Sequence, residues 1–327
     1  MNSIDFKSRV AIVTGAGNGL GRDYALNLAA RGAAVVVNNR VSGGPAEPRS
    51  ADQVVEQIRA AGGTAVANYD SVGSRVAAES MMACAMDNFG QIDIVINNAG
   101  NQANNRFEDM TEDEFTDVMN VHVTGAFHLS QLAYREMMKR GYGRFLFTSS
   151  ASSLFGLYLR ANYATAKAAV VGLANAVGLE GERYGILSNA LMPLGTGTSG
   201  RLGKAKPLAH WPDWEARLPA SHPQEMAVLA PFMGLSNVTP LVLYLCSEQC
   251  RTTRAIFSAA GSRYSRVFIG ATPGWLAAKQ NGIAPEEMAA HFGEIEDRAG
   301  YEEYSFITEE LLSVARRLQP VAGRKPD

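Results

Sequence analysis

The stretch "RVAIVTGAGNGLG", residues 9–21, decides the fold. Val10, Ala11, Ile12 and Val13 form a short unbroken apolar run. Such a run suits a strand covered on both faces rather than one with a wet side. Glycines at 15, 19 and 21 belong to the turn that follows, and the sequence then takes on helical periodicity over 20–30. A strand, a glycine-rich turn and a helix in that order place a helix N-terminus at the end of a buried strand. Unpaired N–H groups and a partial positive charge collect there, and both suit a pyrophosphate. Gly15, Asn18, Gly19, Leu20 and Gly21 are therefore candidate dinucleotide-binding residues.

The same alternation continues outward. Apolar runs over 33–39, 64–70, 92–100, 143–150 and 185–193 read as further strands. Helical patterns lie between them at 51–61, 75–89, 112–139 and 162–184. Glycines at 32, 62, 90, 141 and 185 stand just past helices, where a left-handed cap residue is wanted. Strand–helix alternation implies right-handed crossovers and a doubly wound parallel α/β sheet of the Rossmann type, with helices on both faces. This gives one dinucleotide-binding and catalytic domain over 1–261. Its segment 200–237, rich in Gly, Pro and Trp, is expected to form a flap over the substrate. A helix over 239–247 and a strand over 255–259 complete the domain. Residues 262–327 are expected to be a C-terminal extension with a hairpin and helices near 285–298 and 308–318.

The composition excludes several classes. Of 327 residues 46% are hydrophobic and 19% charged, and the formal net charge is -2, so a sizeable core is available and no basic face invites nucleic acid. Three cysteines without repeated spacing do not make a disulfide framework, and no Cys/His spacing suggests a metal. No run of 18 apolar residues appears, and the start lacks the apolar core of a signal peptide. The expected location is the cytoplasm, with a small-molecule substrate and no nucleic-acid or membrane partner.

Two further stretches carry chemistry. "NNAG", residues 97–100, ends the fourth strand and so borders the crevice used by residues 15–21. Asn98, Ala99 and Gly100 join the candidate binding set. "YATAK", residues 163–167, places Tyr163 and Lys167 four apart on one helical face. A free phenol titrates at about 10. A neighbouring ammonium favours phenolate, so the pair can work as a general acid/base. Ser150 closes the fifth strand and offers a hydroxyl to a substrate oxygen.

In this order the residues resemble the short-chain dehydrogenase/reductase family: TGxxxGxG at 14–21, NNAG at 97–100, then Ser150, Tyr163 and Lys167. The resemblance covers 7–193 and implies an NAD(P)-dependent alcohol/ketone oxidoreductase. It implies that Asp70 and Ser71 border the adenine and that Tyr163 and Lys167 hold the nicotinamide ribose. It also implies that Pro193 flanks the nicotinamide and that the protein is a homodimer or homotetramer. "AVANYDSV", "ANYATAK" and "TPLVLYLC" are similar to the (3R)-hydroxyacyl-CoA dehydrogenase branch found in peroxisomal multifunctional enzyme type 2. Where the general family has Asn before the glycine of "HVTG", this chain has His122, as that branch does. His122 is a candidate relay or a structural histidine. Leu194 stands where Gly is usual, and the 200–237 segment is longer than in that branch. The substrate readings are a 3-hydroxyacyl-CoA-like molecule, a hydroxysteroid or a smaller alcohol. The readings of another class are a non-catalytic dinucleotide-binding regulator and a lyase or epimerase.

"VVVNNR", residues 35–40, bears on which dinucleotide is bound. A carboxylate at the end of the second strand usually meets the adenosine ribose of NAD. Here Asn39 removes the repulsion toward a 2′-phosphate, and Arg40 supplies a planar charged fork. NADP is expected to be preferred over NAD, with Arg49 as a second positive charge nearby.

Overall fold

The structure, a computed structural model, describes residues 3–41, 49–194, 222–277, 282–304 and 307–322. Chain contacts divide it into two compact units, Met1–Arg266 and Val267–Asp327.

Eight strands build the sheet of the first unit: β1 (Val10–Val13), β2 (Ala34–Asn38), β3 (Thr64–Asn68), β4 (Ile94–Asn97), β5 (Gly143–Thr148), β6 (Ile186–Leu194), β7 (Ile256–Ala260) and β8 (Arg263–Val267). Their order is β3-β2-β1-β4-β5-β6-β7-β8. Every pairing from β3 through to β7 is parallel. The apolar runs become strands buried on both faces: β1 and β4 are buried at every position. Only the two residues Gly261 and Ser262 join β7 to β8, too few for a crossover, so β8 turns back as an edge strand.

The helices of this unit are α1 (Gly19–Ala30), α2 (Ser50–Ala60), α3 (Arg75–Phe89), α4 (Glu112–Met119), α5 (Gly125–Arg140), α6 (Ser152–Phe155), α7 (Ala161–Gly181), α8 (Pro223–Leu229) and α9 (Thr239–Cys246). All five glycines expected to cap helices have positive φ, as at Gly90 (72°) and Gly141 (66°). The helix expected over 112–139 is not uniform. Asn120–Thr124 forms a π-helical turn between α4 and α5. The wider turn inserts one extra residue per hydrogen-bonded ring, and such insertions recur at functional sites. Here it carries His122 into the interior. Of the segment expected to form the flap, residues 200–221, including Trp211 and Trp214, lie outside the described residues. Residues 222–237 hold α8 and two short 3-10 turns.

The chain leaves β1 for β2 and β3 on one side, then crosses back to β4 on the other. The β1/β4 boundary is therefore the topological switch point, and the crevice beyond its carboxyl end is the expected ligand site.

The second unit contains α10 (Pro285–Ala290), α11 (Phe292–Glu296) and α12 (Ile307–Ala322). The helix expected over 285–298 breaks at His291, whose ring stacks on Trp275 at 4.1 Å.

Candidate active site

Thr14 locks the switch point. Its hydroxyl donates to the Ile96 carbonyl (3.3 Å) and accepts the N–H groups of Asn98 and Ala99, each at 3.0 Å. Asn98 returns its amide to the Thr14 carbonyl at 3.0 Å. The ends of β1 and β4 are thus pinned together by side chain and backbone. The glycines are needed for that closeness. A Cβ on Gly15 would lie 2.9 Å from the Ala99 Cα, and one on Gly21 would lie 2.6 Å from the Asn98 amide nitrogen. At the head of α1, Asn18 is extended and its side chain makes no cap. The first N–H groups of that helix therefore face outward without a side-chain acceptor.

Beside this turn a pocket is lined by Gly15, Asn38, Asn39, Arg40, Asp70, Ser71, Ala99 and Gly100, among others. It gathers candidates from the ends of β1, β2, β3 and β4. Its floor is a polar ladder that sequence reading missed. The buried Asn38 amide donates to the Asn68 side chain (2.7 Å) and the Asp70 carbonyl (3.0 Å), and Asn68 donates to the Asp70 carboxylate (2.8 Å). Asn39 donates to the Ser50 hydroxyl at the head of α2 (2.8 Å). Arg40 is exposed at the rim. Arg49 lies over the Tyr69 ring, 4.4 Å from its centre. A nicotinamide dinucleotide fits these residues: an uncapped helix N-terminus behind a glycine turn, a polar pocket at the ends of β2 and β3, and a carboxylate held in place by Asn68.

The other half of the crevice holds the acid–base candidates. Ser150 follows β5, while Tyr163 and Lys167 occupy the first turns of α7. Tyr163 is hydrogen-bonded to Ser150. Ser150 also accepts the Ser152 N–H (3.3 Å) and hydroxyl (2.9 Å). The Lys167 ammonium is buried 5.5 Å from the centre of the Tyr163 ring and donates to the Thr148 carbonyl at 2.6 Å. Burial pulls its pKa down to about 7. Burial raises the Tyr163 phenol above its ordinary value, while the Ser150 hydrogen bond and then the Arg160 charge pull it back. Arg160 was not singled out from the sequence.

His122 meets Tyr163 edge-on, ring centres 5.3 Å apart. Its Nε2 lies 2.9 Å from the Asn101 carbonyl and 3.2 Å from the Asn101 N–H, so either tautomer finds a partner. Burial first and the Lys167 charge second push its pKa down to about 3. The imidazole is neutral across the physiological range. Gly100 makes room for it: a Cβ there would lie 2.5 Å from Cε1. Asn162, also missed from the sequence, is wholly buried. It donates to the carbonyls of Ala103 (2.9 Å) and Glu114 (3.0 Å) and accepts the Tyr163 N–H (2.7 Å). One amide thus ties the loop after β4, helix α4 and the first turn of α7. Pro193 lies near the carboxyl end of β6, the edge of the sheet from which Ser150 follows β5, and is followed by the exposed Leu194.

Comparison with known proteins gives the same family. Residues 9–206 match the family model described as short chain dehydrogenase. The chain is 36% identical over 328 residues to peroxisomal multifunctional enzyme A of Dictyostelium discoideum, covering 99% of this chain and 68% of that one. Full-length peroxisomal multifunctional enzyme type 2 from Drosophila melanogaster superposes with a TM-score of 0.75 at 30% identity, over 97% of this chain and 51% of that one. A short chain dehydrogenase from Mycobacterium avium superposes at 0.73 with 31% identity, over 90% of this chain and 98% of that one. The chain thus spans about half the length of the Drosophila enzyme. With the motifs, the sheet order and these likenesses in agreement, the chain belongs to the short-chain dehydrogenase/reductase family and is an oxidoreductase.

Proposed function

We propose that the protein interconverts a secondary alcohol and a ketone with Tyr163 as general acid/base, on a 3-hydroxyacyl-CoA-like substrate. The observation that carries this is the convergence of Ser150, Tyr163 and Lys167 in one buried group beyond β5, beside the switch point. A bound nicotinamide dinucleotide supplies or accepts the hydride. The chain's own residues do the rest. Gly15, Asn18, Gly19, Leu20 and Gly21 cradle the pyrophosphate. Asp70 and Ser71 border the adenine, and Asn98, Ala99, Gly100 and Pro193 line the way to the nicotinamide. Ser150 orients the substrate oxygen. Tyr163 takes the alcohol proton in oxidation and returns it in reduction. Lys167 would hold the ribose, its ammonium 5.5 Å from the centre of the Tyr163 ring. His122 stays neutral and fixes the Asn101 loop.

The substrate class rests on the likeness to relatives named as peroxisomal multifunctional enzymes. NADP is the preferred dinucleotide in this reading, because Arg40 stands at the pocket rim and the second strand ends without a carboxylate. Exposed Phe127 and Leu179, on α5 and α7, support a homodimer or homotetramer formed through those helices, and sedimentation tests it. The cytoplasm is the proposed location, to be tested by cell fractionation.

The test is Tyr163→Phe, which keeps the ring and removes only the hydroxyl. Turnover should fall by about 10²–10⁴-fold with dinucleotide affinity intact. Turnover within a few-fold of wild type refutes the assignment. A panel of 3-hydroxyacyl-CoAs against hydroxysteroids, run with both dinucleotides, tests the substrate class.

A further inference from the structure

Helix α7 begins at Ala161, and the approach to it is unusual. Leu159 has φ of 65°, the left-handed region, although it is not glycine. That conformation brings Cβ too close to the following carbonyl oxygen and is disfavoured for an ordinary L-residue. Its neighbours hold it there. Leu159 is buried, and its carbonyl accepts the Asn105 N–H at 3.0 Å. The Arg160 carbonyl accepts the Ala164 N–H at 2.8 Å, and the Asn162 amide anchors the next residue but one to α4. The turn places the Arg160 side chain in the interior. The residue is 8% exposed, and its guanidinium carbon lies 5.6 Å from the centre of the Tyr163 ring. Burying a guanidinium is costly, and packing alone is better served there by an uncharged side chain.

Among the described residues, the charged and titratable groups around Tyr163 are few. Lys167 and Arg160 come from α7 itself. His122 comes from the π-helical turn and is neutral. On α4, Glu114 is engaged by Asn105 and Thr111, and Asp117 by Asn101. The serines after β5 carry no charge. Two cations among the described residues therefore flank the Tyr163 ring, and they differ in kind. The guanidinium stays protonated at every working pH, whereas a buried ammonium gives up its proton readily.

We propose that Arg160 is a positioning residue for the acid–base step, a fixed cation that keeps Tyr163 ionisable whatever the protonation state of Lys167. This rests on the reading of Tyr163 as the acid/base. An ammonium that titrates near neutrality cannot alone sustain a phenolate at higher pH, where alcohol oxidation needs it. Burial lowers the pKa of the guanidinium too, but from so high a starting value that it keeps its charge over that range. The inverted backbone at Leu159 is then the device that turns this charge inward.

The test is the pH dependence of kcat for alcohol oxidation in wild type, Arg160→Gln, Arg160→Met and Arg160→Lys. Removing an opposite charge at this range moves a pKa by about one unit or more. The acidic limb should move up by that amount in Arg160→Gln and Arg160→Met. Turnover at neutral pH should drop about tenfold and recover at high pH. Arg160→Lys should keep its limb near that of wild type. Two uncharged variants are used because they differ in how they fill the site, and a shift in either supports the proposal. Limbs that superpose on wild type, or a loss that is even at every pH, overturn it. Failure of the acid/base reading is separately visible, as an active Tyr163→Phe.

Discussion

Asn162 is the residue on which the geometry of Tyr163 depends, and its removal has a calculable cost. Its side chain makes three hydrogen bonds from a wholly buried position, to the Ala103 and Glu114 carbonyls and from the Tyr163 N–H. Glu114 lies inside α4, so its carbonyl keeps an in-helix partner when the amide is lost. The Tyr163 N–H does not, because it belongs to the first turn of α7, where donors lack helical acceptors. The Ala103 carbonyl, in an irregular loop, loses its partner as well. Two orphaned groups at about 1–3 kcal/mol each put the loss in Asn162→Ala at roughly 2–6 kcal/mol. Asn162→Asp is the discriminating companion. Its carboxylate still accepts from Tyr163 but faces two carbonyl oxygens with no hydrogen to offer. It should be destabilised more than the alanine variant, although it is closer in shape. Urea unfolding measures both, and turnover under native conditions shows whether the phenol has lost its place. An Asn162→Ala variant within about 0.5 kcal/mol of wild type, the range of an ordinary surface change, refutes the claim that this amide holds the site.

Three further outcomes follow from the same structure. Asn39→Asp should shift the kcat/KM ratio for NADP over NAD toward NAD, and more strongly than Arg40→Ala, since it adds repulsion; loss of a charge-assisted hydrogen bond at Arg40 is worth about 1.5–3 kcal/mol, and a wild type favouring NAD with Arg40→Ala unchanged sinks the reading. His122, neutral because burial and the Lys167 charge push its pKa down to about 3, should show no titration of its ring protons by NMR between pH 5 and 8, and a titration in that window refutes the reading. Asp93→Ala, at the opposite end of β4, should cost about 1–3 kcal/mol by leaving the buried Val10 N–H without its acceptor, because Asp93 accepts from Arg9 (3.1 Å), the Val10 N–H (2.9 Å) and Gln91 (2.7 Å), and of these Arg9 keeps a second partner in Glu248; its turnover at a temperature where it stays folded should match wild type.

The sheet was legible because a parallel strand buried on both faces leaves an unbroken apolar run, as in β1, β2 and β4. The neighbourhood of Tyr163 and Lys167 was legible for a related reason: a helix converts a spacing of four into one shared face, so the two side chains announce their proximity within five letters. The groups that place this pair carry no such signal. Asn162 reaches across the fold to Ala103 and Glu114, and nothing in the sequence marks that partnership. The π-helical turn at Asn120–Thr124 left the apolar period of 112–139 looking like one plain helix, because an extra residue in the hydrogen-bond ladder changes no residue type. Yet that turn is what brings His122 against Tyr163. Arg160 is the sharpest case. As letters, "LRANY" reads as a polar approach to a helix, and an arginine before a helix normally points to water. Only the left-handed backbone of Leu159 turns the charge inward, and leucine is a residue from which no one infers a positive φ. Local spacing thus reveals which groups can do chemistry, while long-range and strained contacts set how strongly each one does it. On the role proposed for Tyr163, the buried cations beside its ring, Lys167 and Arg160, set the pH at which it works.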